Sequence, residues 1–230
     1  MTRFILPILV GLLVMIAART SGAADEVLFE DNFDKGLAAK WSAVGLKKED
    51  YRIRAGALEM RVRPRARNEA IPLLRVTLPF NTNERVSASV EVTPVDPFTE
   101  PGESAGLYLL DGDSPEFEVE KTIAGGYFVF SPPELVFIGK EDDDESGDRR
   151  DYAVKFWPAN ADFGPLRIIT GGHHATFQVG PSKADKYMNL FESALNREAP
   201  KRGFALGAYG GPTDKEHWVR FDNFRVVRSK

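Results

Sequence analysis

The chain has 230 residues, a formal net charge of −4 and no cysteine. The mild acidity argues against nucleic acid as a partner, because phosphate binding requires a basic surface. Without cysteine no disulfide can form, so an apolar core must supply the stability of the fold. A chain of this length is long enough for a single all-β sandwich with a sizeable core.

Residues 1–24 have the pattern of a secretory signal peptide. Arg3 supplies the positive n-region and residues 4–18 form an apolar run. The small residues that follow predict cleavage after Ala23 or Ala24. Removal of this segment deletes two arginines and no acidic residue, so the mature chain is more acidic than the full chain.

An uncleaved membrane anchor is the alternative for this segment, although the apolar run is shorter than the ~20 residues that span a bilayer. The absence of cysteine excludes a lipid anchor on that residue, and no later stretch is apolar enough to cross a membrane. We therefore expect a signal peptide at 1–24 and one secreted or periplasmic domain at 25–230. No integral membrane segment is expected after cleavage.

The rest of the chain alternates between short strand patterns and turn residues. Gly, Pro, Asn and Asp fill the gaps, as turns require. The absence of long helical patterns between the strands favours a sandwich or barrel over a βαβ architecture. The predicted strands are 27–33, 51–54, 57–62, 73–80, 86–92, 105–110, 116–120, 127–130, 134–138, 154–157, 166–170, 175–179, 204–209 and 217–227.

The same tripeptide occurs near both ends of the chain, as Asp31-Asn32-Phe33 and as Asp222-Asn223-Phe224. Each copy lies beside a hydrophobic alternation typical of a strand. We therefore expect the two ends to pair as neighbours in one sandwich.

Residues 182–199 depart from the strand pattern. Ser182 and Asp185 resemble a capping box, and Pro200 would end the segment. The apolar residues recur at helical spacing, at Tyr187, Leu190, Phe191, Ala194 and Leu195. The predicted fold is thus all-β, a two-sheet antiparallel jelly-roll sandwich with one short amphipathic helix, which would cover a sheet end or act as a binding lid.

Three glutamates alternate with apolar residues at Glu116, Glu118 and Glu120. Side chains alternate across a strand, so these carboxylates are expected on one face, with neighbours about 6.5–7 Å apart. Paired carboxylates at such distances serve glycoside hydrolysis, one as acid and the other as nucleophile or base. The alternative is a strand with a solvated acidic face.

Earlier in the chain, four arginines occur at every second position, at Arg61, Arg63, Arg65 and Arg67. Arg52 and Arg54 lie close to them in the sequence. An extended segment would carry them on one face, where they could bind an anionic polysaccharide through bidentate contacts. The alternative is protection of a sheet edge by charge.

The sequence also offers candidates for a metal site and for sugar stacking. Asp31 and Asp222 could each give oxygen ligands to a structural calcium ion if the terminal strands are adjacent. The alternative is that these residues form Asx-turns while the phenylalanines fill the core. Three histidines without a spaced carboxylate motif argue against zinc.

Among the aromatic residues, Trp157 and Tyr209 precede loops, and we expect them to contact a sugar by stacking.

Several segments resemble the concanavalin A-like, LamG-type jelly-roll superfamily. They are LFEDNFDKGLAAKW, YRIRAGALEMRV, GPLRIITGGHHATFQVG, KRGFALGAYGG and HWVRFDNFRVV. The superfamily includes lectin-like binding modules, laminarinase-like hydrolases and 3-keto-disaccharide hydrolase-like domains. The strand at 116–120 is similar to the E-x-D-x-E strand of the laminarinase-like enzymes, with Glu118 where that family has Asp. The resemblance implies Glu116 as nucleophile and Glu120 as acid/base.

Three functions follow from these observations. The first is a secreted carbohydrate-binding module without catalysis of its own, binding a polysaccharide or glycan through aromatic stacking and hydrogen bonds on a concave sheet or its rim loops. The second is a glycoside hydrolase that acts through the three glutamates. The third is a structural envelope protein. Fold does not choose among them, so whether the chain is an enzyme stays open.

Overall fold

The computed structural model describes residues 25–65, 69–100, 102–112, 114–122, 133–140, 153–158, 165–180, 187–195 and 202–230. For 114–122, 133–140 and 153–158 the description is of the backbone. Within these residues lie a 3-10 helix at Lys48–Asp50 and fifteen strands. The strands are β1 (Glu26–Asp31), β2 (Ser42–Val44), β3 (Tyr51–Arg54), β4 (Ala57–Arg61), β5 (Leu73–Leu78), β6 (Val86–Pro94), β7 (Ser104–Asp111), β8 (Ser114–Thr122), β9 (Pro133–Lys140), β10 (Ala153–Pro158), β11 (Pro165–Gly171), β12 (His174–Val179), β13 (Met188–Ala194), β14 (Arg202–Tyr209) and β15 (Trp218–Arg228).

The strands form two antiparallel sheets that pack face to face. Sheet A has eight strands in the order β13-β12-β11-β6-β15-β4-β3, with β1 also paired to β15. Sheet B has seven strands in the order β10-β9-β8-β7-β14-β5-β2. This arrangement confirms the predicted all-β, two-sheet sandwich.

The two ends of the chain pair as the repeated tripeptide predicted. β1 lies antiparallel to the C-terminal half of β15, with Asp31 opposite Phe224. Behind this pair, the ring of Trp41 packs against Phe224 with centroids 4.8 Å apart and against Phe29 at 5.4 Å. Phe33 is fully buried in the same cluster. The terminal strands are therefore fixed both by backbone pairing and by aromatic contacts.

The core lies between the sheets and follows from alternation along the strands. In β6, Val86, Ala88, Val90 and Val92 are buried, and the residues between them are at least partly exposed. β11 and β12 show the same period of two. Short turns fix the register: the β11–β12 hairpin closes through Gly172 and His173, both at positive φ, as a type I′ turn requires.

The predicted amphipathic helix is wrong over the residues that the structure describes there. Met188–Ala194 forms β13, which extends sheet A by pairing with β12. The apolar residues of this segment have helical spacing, but the exposed edge of β12 offers backbone hydrogen bonds that a helix would leave unused. Tertiary pairing therefore outweighs the local periodicity.

The structure also contains elements that were not predicted, and some predicted segments lie outside the described residues. β2 and the 3-10 helix were not predicted, and the predicted strand at 127–130 lies outside the described residues. Residues 1–24, the predicted signal peptide, also lie outside them. In the part of the chain that the structure covers, no helix has the length and apolar character needed to cross a membrane.

Candidate functional site

A row of polar residues crosses the outer face of sheet A, the face turned away from sheet B. The strand register sets six residues directly opposite one another on successive strands, and such residues share a face. They are Asn189 of β13, Gln178 of β12, Arg167 of β11, Ser89 of β6, Arg225 of β15 and Glu30 of β1. We call these six residues the polar row. Its length is about 24 Å, since neighbouring strands lie about 4.8 Å apart.

The first groove along the polar row has a volume of 220 Å³, and Arg167 is one of its lining residues. The guanidinium carbon of Arg167 lies over the Tyr187 ring, 4.4 Å from its centroid, which is a cation–π contact. Its Nε is buried and has no hydrogen-bond partner. The remaining lining residues are Asp25, Ser87, Ser89, Arg225 and Val227.

The second groove has a volume of 450 Å³ and continues the same face toward β13. Gln178 Nε2 donates a hydrogen bond to Asn189 Oδ1 at 2.6 Å, while Gln178 Oε1 is buried and accepts none. Arg85, Thr176 and Glu192 also line this groove. Arg167 and Gln178 are opposite each other in the register, so their two unused polar atoms belong to adjoining grooves.

The outer face of sheet B differs, because its central strands are buried on both faces. Leu73, Tyr108, Leu110 and Ala205 form a second apolar cluster outside the main core, and none is more than 2% exposed. The Tyr108 ring lies over Gly207, where an added Cβ would be 2.8 Å from a ring carbon. This face offers apolar packing around the ring of Tyr108.

β8 carries the three glutamates of the predicted catalytic strand beside this cluster. The register sets Glu118 opposite Tyr108 and Glu120 opposite Gly106, positions on the outer face of sheet B. Glu116 lies at a register shift, where Leu109 pairs with Phe117 and Leu110 pairs with Pro115. The backbone thus brings two of the three positions onto one regular face.

The predicted sugar-stacking residues lie at the borders of sheet B. Trp157 is in the edge strand β10, opposite Glu134. Tyr209 ends β14, packs against the second apolar cluster and has the guanidinium of Arg65 at 4.9 Å from its ring centroid. Tyr209 does not line either of the two grooves of sheet A.

The described members of the arginine series have partners within the protein. Arg61 Nη2 lies 3.0 Å from Glu216 Oε1, and Arg63 Nη1 lies 3.1 Å from Asp50 Oδ2. Arg65 Nε donates to the carbonyl of Glu69 at 2.5 Å. Arg67 is outside the described residues. These interactions favour a structural role over a polysaccharide-binding surface.

Arg52 and Arg220 share one buried carboxylate. Both oxygens of Glu59 accept a hydrogen bond at 2.8 Å, one from Arg52 Nε and the other from Arg220 Nη2. Burial raises the pKa of Glu59, but the hydrogen bonds and charges of the two arginines outweigh it and hold the pKa below its ordinary value. The guanidinium of Arg52 also lies 3.8 Å from the centroid of the Trp218 ring.

Asp31, one of the two predicted calcium ligands, is engaged by three N–H donors. The Phe33 amide donates to Oδ1 at 2.8 Å, while the Ala38 amide and Trp41 Nε1 donate to Oδ2 at 3.0 and 2.8 Å. A carboxylate has about four lone-pair sites, so little capacity is left for a metal. Asp31 therefore does not fit a calcium ligand, and the Asx-turn interpretation is the one that its contacts match.

Asp222, the other predicted ligand, lies on β15 beside a bulge. Burial raises the pKa of Asp222 above its ordinary value, and the nearby charge of Asp34 adds to the increase. Among the described residues, no group of three or more His, Cys, Asp or Glu side chains could hold a metal ion.

The three histidines have separate environments. His217 Nδ1 lies 2.5 Å from Glu103 Oε1, and both side chains are buried. His173 Nδ1 lies 2.7 Å from Thr82 Oγ1. His174 is exposed and has Glu192 at 3.9 Å.

Comparisons with known proteins identify the fold. No protein-family model and no curated protein matches the chain. Among solved structures, it is similar to GH43B of the Bacteroides ovatus xyloglucan PUL, at 16% identity and a TM-score of 0.63, covering 86% of this chain and 38% of that one. The chain thus spans about two fifths of that protein.

Two further structures match over most of both chains. The laminarinase of Rhodothermus marinus has 14% identity and a TM-score of 0.57, covering 89% of this chain and 98% of that one. The exoplasmic/lumenal domain of VIP36, in a form bound to Ca²⁺ and Man3GlcNAc, has 11% identity and a TM-score of 0.52, covering 84% and 85%. At these identities the likeness concerns the fold alone, and it confirms the jelly-roll sandwich that the resemblance implied.

Proposed function

We propose that this chain is a carbohydrate-binding domain that binds a glycan along the polar row of sheet A. The observation that carries the proposal is the pair of adjoining grooves, in which Arg167 Nε and Gln178 Oε1 are buried without a hydrogen-bond partner. Ligand sites combine a concavity with a few convergent polar groups, and these grooves have that composition.

The chemistry of the grooves suits a sugar. Gln178 Oε1 can accept a hydrogen bond from a sugar hydroxyl, and Arg167 Nε can donate one to a sugar oxygen. Ser87 and Ser89 can do both. A ligand that satisfies buried polar atoms removes the cost of leaving them unpaired, so each such contact adds to affinity. The export that residues 1–24 predict would bring this surface into contact with glycans outside the cell.

The test is binding of residues 25–230 to an array of neutral and anionic glycans, with calcium and with a chelator. We then expect Gln178→Ala to weaken binding to the best glycan by about tenfold, the effect of one lost hydrogen bond. Ser89→Ala should weaken it less. The matched control is Ser42→Ala, the same change at an exposed residue of sheet B, and it should leave binding unchanged.

Two results would contradict the proposal. A blank array would favour the third hypothesis, a structural envelope protein that recognises no glycan. Equal losses for Ser89→Ala and Ser42→Ala would mean that the glycan binds elsewhere. Dependence of binding on calcium is the additional readout for a structural ion, which the Ca²⁺-bound form of the VIP36 domain motivates.

A second candidate function is glycoside hydrolysis on the outer face of sheet B. The register that sets Glu118 and Glu120 on one face beside Tyr108 favours it, as does the fold likeness to a laminarinase. Glu120 would act as acid/base and Glu116 as nucleophile, with Glu118 between them and with Trp157 or Tyr209 contacting the sugar.

The hydrolase candidate is tested by incubating the protein with the polysaccharide that the array identifies and measuring new reducing ends. Glu120→Gln should abolish hydrolysis and leave the melting temperature unchanged. Hydrolysis that survives this change would contradict the assigned role, and no hydrolysis by the unmodified protein would leave the binding module as the function.

A further inference from the structure

We infer that the glycan bound on sheet A is acidic, and that Arg167 binds its carboxylate or sulfate group with Arg225 as a second cation. This inference rests on the proposed function and names the class of ligand for the same site. It depends on the partners of the arginines on this face, on their spacing, and on the charges around them.

The partners distinguish Arg167 from other arginines of sheet A. A carboxylate lies within 3.0 Å of each of four guanidiniums, those of Arg52, Arg61, Arg220 and Arg228. The side chain of Arg167 makes no hydrogen bond or ion pair with any residue that the structure describes. Its contact is the ring of Tyr187 at 4.4 Å. A guanidinium that is held in place by stacking, with its donors unused, is suited to bidentate recognition of a planar anion.

Arg225 supplies the second cation on the other side of Ser89. Both arginines are opposite Ser89 in the register, so their Cα atoms lie about 10 Å apart, two strand spacings. Among the residues that the structure describes, the carboxylate that pairs with Arg225 is that of Glu30 at 3.8 Å, and these side chains are 57% and 68% exposed. Such an exposed pair is weak, so an acidic ligand can compete for Arg225.

Negative charges surround Arg167, so an acidic ligand should bind only where it contacts the arginines directly. Asp25 lines the same groove as Arg167, and Glu192 lines the neighbouring one. With a net charge of −4, the chain has no general attraction for polyanions. Recognition must therefore depend on contacts in the groove, and acidic polysaccharides should bind by their acidic group at Arg167.

The experiment compares two matched pairs of polysaccharides by isothermal titration at physiological ionic strength. One pair is polygalacturonate and its carboxyl-reduced form, and the other is κ-carrageenan and its desulfated form. We expect the protein to bind at least one acidic member at least tenfold more tightly than its neutral counterpart. The two pairs distinguish a carboxylate from a sulfate.

Variants connect this preference to the groove. Arg167→Gln should weaken binding of the acidic member by about 10- to 100-fold, since a hydrogen bond to a charged group is lost. Arg167→Lys should recover little, because a lysine neither stacks flat on Tyr187 nor binds bidentately. Arg225→Gln tests the same groove at an exposed residue, whereas Arg167 is half-buried. Arg54→Gln is the matched control, because Arg54 is exposed on β3, outside the groove.

Each outcome decides the inference. Loss of binding in Arg167→Gln with retention in Arg54→Gln supports it. Equal binding of acidic and neutral forms overturns the inference and leaves the proposed glycan site intact, while equal losses in the two variants would mean general charge attraction. Binding of none of the four polysaccharides overturns the inference, and a blank glycan array would overturn the proposed function as well.

Discussion

The outer faces of the two sheets differ in kind. In sheet A, β6, β11 and β12 alternate between buried and partly exposed residues, so that the outer face is polar and grooved. In sheet B, seven of the eight residues of β7 and of β14 are buried. Both strands therefore bury residues on both faces, and Tyr108, Leu110 and Ala205 pack in a second apolar cluster.

This difference separates stability from ligand binding within one fold. A strand that is buried on both faces adds apolar area to the fold but presents few polar groups to a ligand. A strand with a half-exposed polar face costs some of that area and leaves hydrogen-bonding groups accessible. We therefore expect substitutions on the outer face of sheet B to change the free energy of unfolding, and those in the polar row to change binding.

The largest effect is expected for Tyr108→Ala. Tyr108 is fully buried against Leu73 and Gly207, and removal of its ring leaves a cavity. The free energy of unfolding should fall by about 3–5 kcal/mol, the range for large aromatic truncations. Chemical denaturation at 25 °C measures it, and glycan binding by the fraction that remains folded should be unchanged.

The matched change on sheet A is Tyr187→Ala. Tyr187 is half-buried and contacts Arg167, so the expected loss in the free energy of unfolding is about 1 kcal/mol. Binding of the glycan should weaken, because the guanidinium loses the ring that orients it. A larger loss of stability for Tyr187→Ala than for Tyr108→Ala would break the comparison between the two faces.

Much of the fold could be predicted from the sequence because its signals are local. Residues 86–92 alternate strictly, and the glycines at the hairpin turns mark where strands reverse. The pairing of the two ends followed from the repeated tripeptide. The segment 187–195 could not be assigned this way, because its apolar spacing fits a helix and only the free edge of β12 decides for a strand.

The candidate site was far less predictable. The polar row takes one residue from each of six strands, and the residues themselves, such as Ser89 and Gln178, are ordinary in a strand. No spacing along the chain connects them before the register is known. The arginine series was visible in the sequence, yet its described members have partners within the protein. No sequence pattern singled out Arg167.

Glu59→Gln tests a second comparison, between the ion pairs around Glu59 and the grooves of the same sheet A. Glu59 is fully buried and is bonded to Arg52 and Arg220, whose side chains are 40% and 39% exposed. The variant should lower the free energy of unfolding at neutral pH by about 2 kcal/mol, the range for hydrogen bonds to a charged group with partly solvated partners. Glycan binding should be unchanged, because this cluster lies outside both grooves.

The pH dependence of that effect has a definite sign. The pKa of Glu59 is lowered from its ordinary value of 4.5, so its stabilising contribution is fully present above that value. It is lost as the pH falls through the pKa of the folded state. The difference between the protein and the variant should therefore be constant from pH 6 to 8 and shrink in acid. A difference that grows in acid would contradict the assigned ion pairs.

The smallest effect is expected for Asp222→Asn. The pKa of Asp222 is raised above its ordinary value of 3.8 by burial and by Asp34, so the ionised carboxylate is disfavoured in the folded state. Its contribution to stability is present below the ordinary value and is lost as the pH rises through the folded pKa. The free energy of unfolding of the variant should therefore exceed that of the unmodified protein by less than about 1 kcal/mol at pH 7. At pH 3 the two should be equal.

Thermal unfolding at both pH values, with calcium and with a chelator, measures this effect. A calcium ion at Asp222 would reverse the sign, because the metal would stabilise the ionised carboxylate of the unmodified protein. Calcium would then raise the melting temperature of that protein and not of the variant. We expect no such difference, since Asp31 on the paired strand already accepts hydrogen bonds from three N–H groups. The stability of the paired strands β1 and β15 would then depend on hydrogen bonds and aromatic packing without a metal.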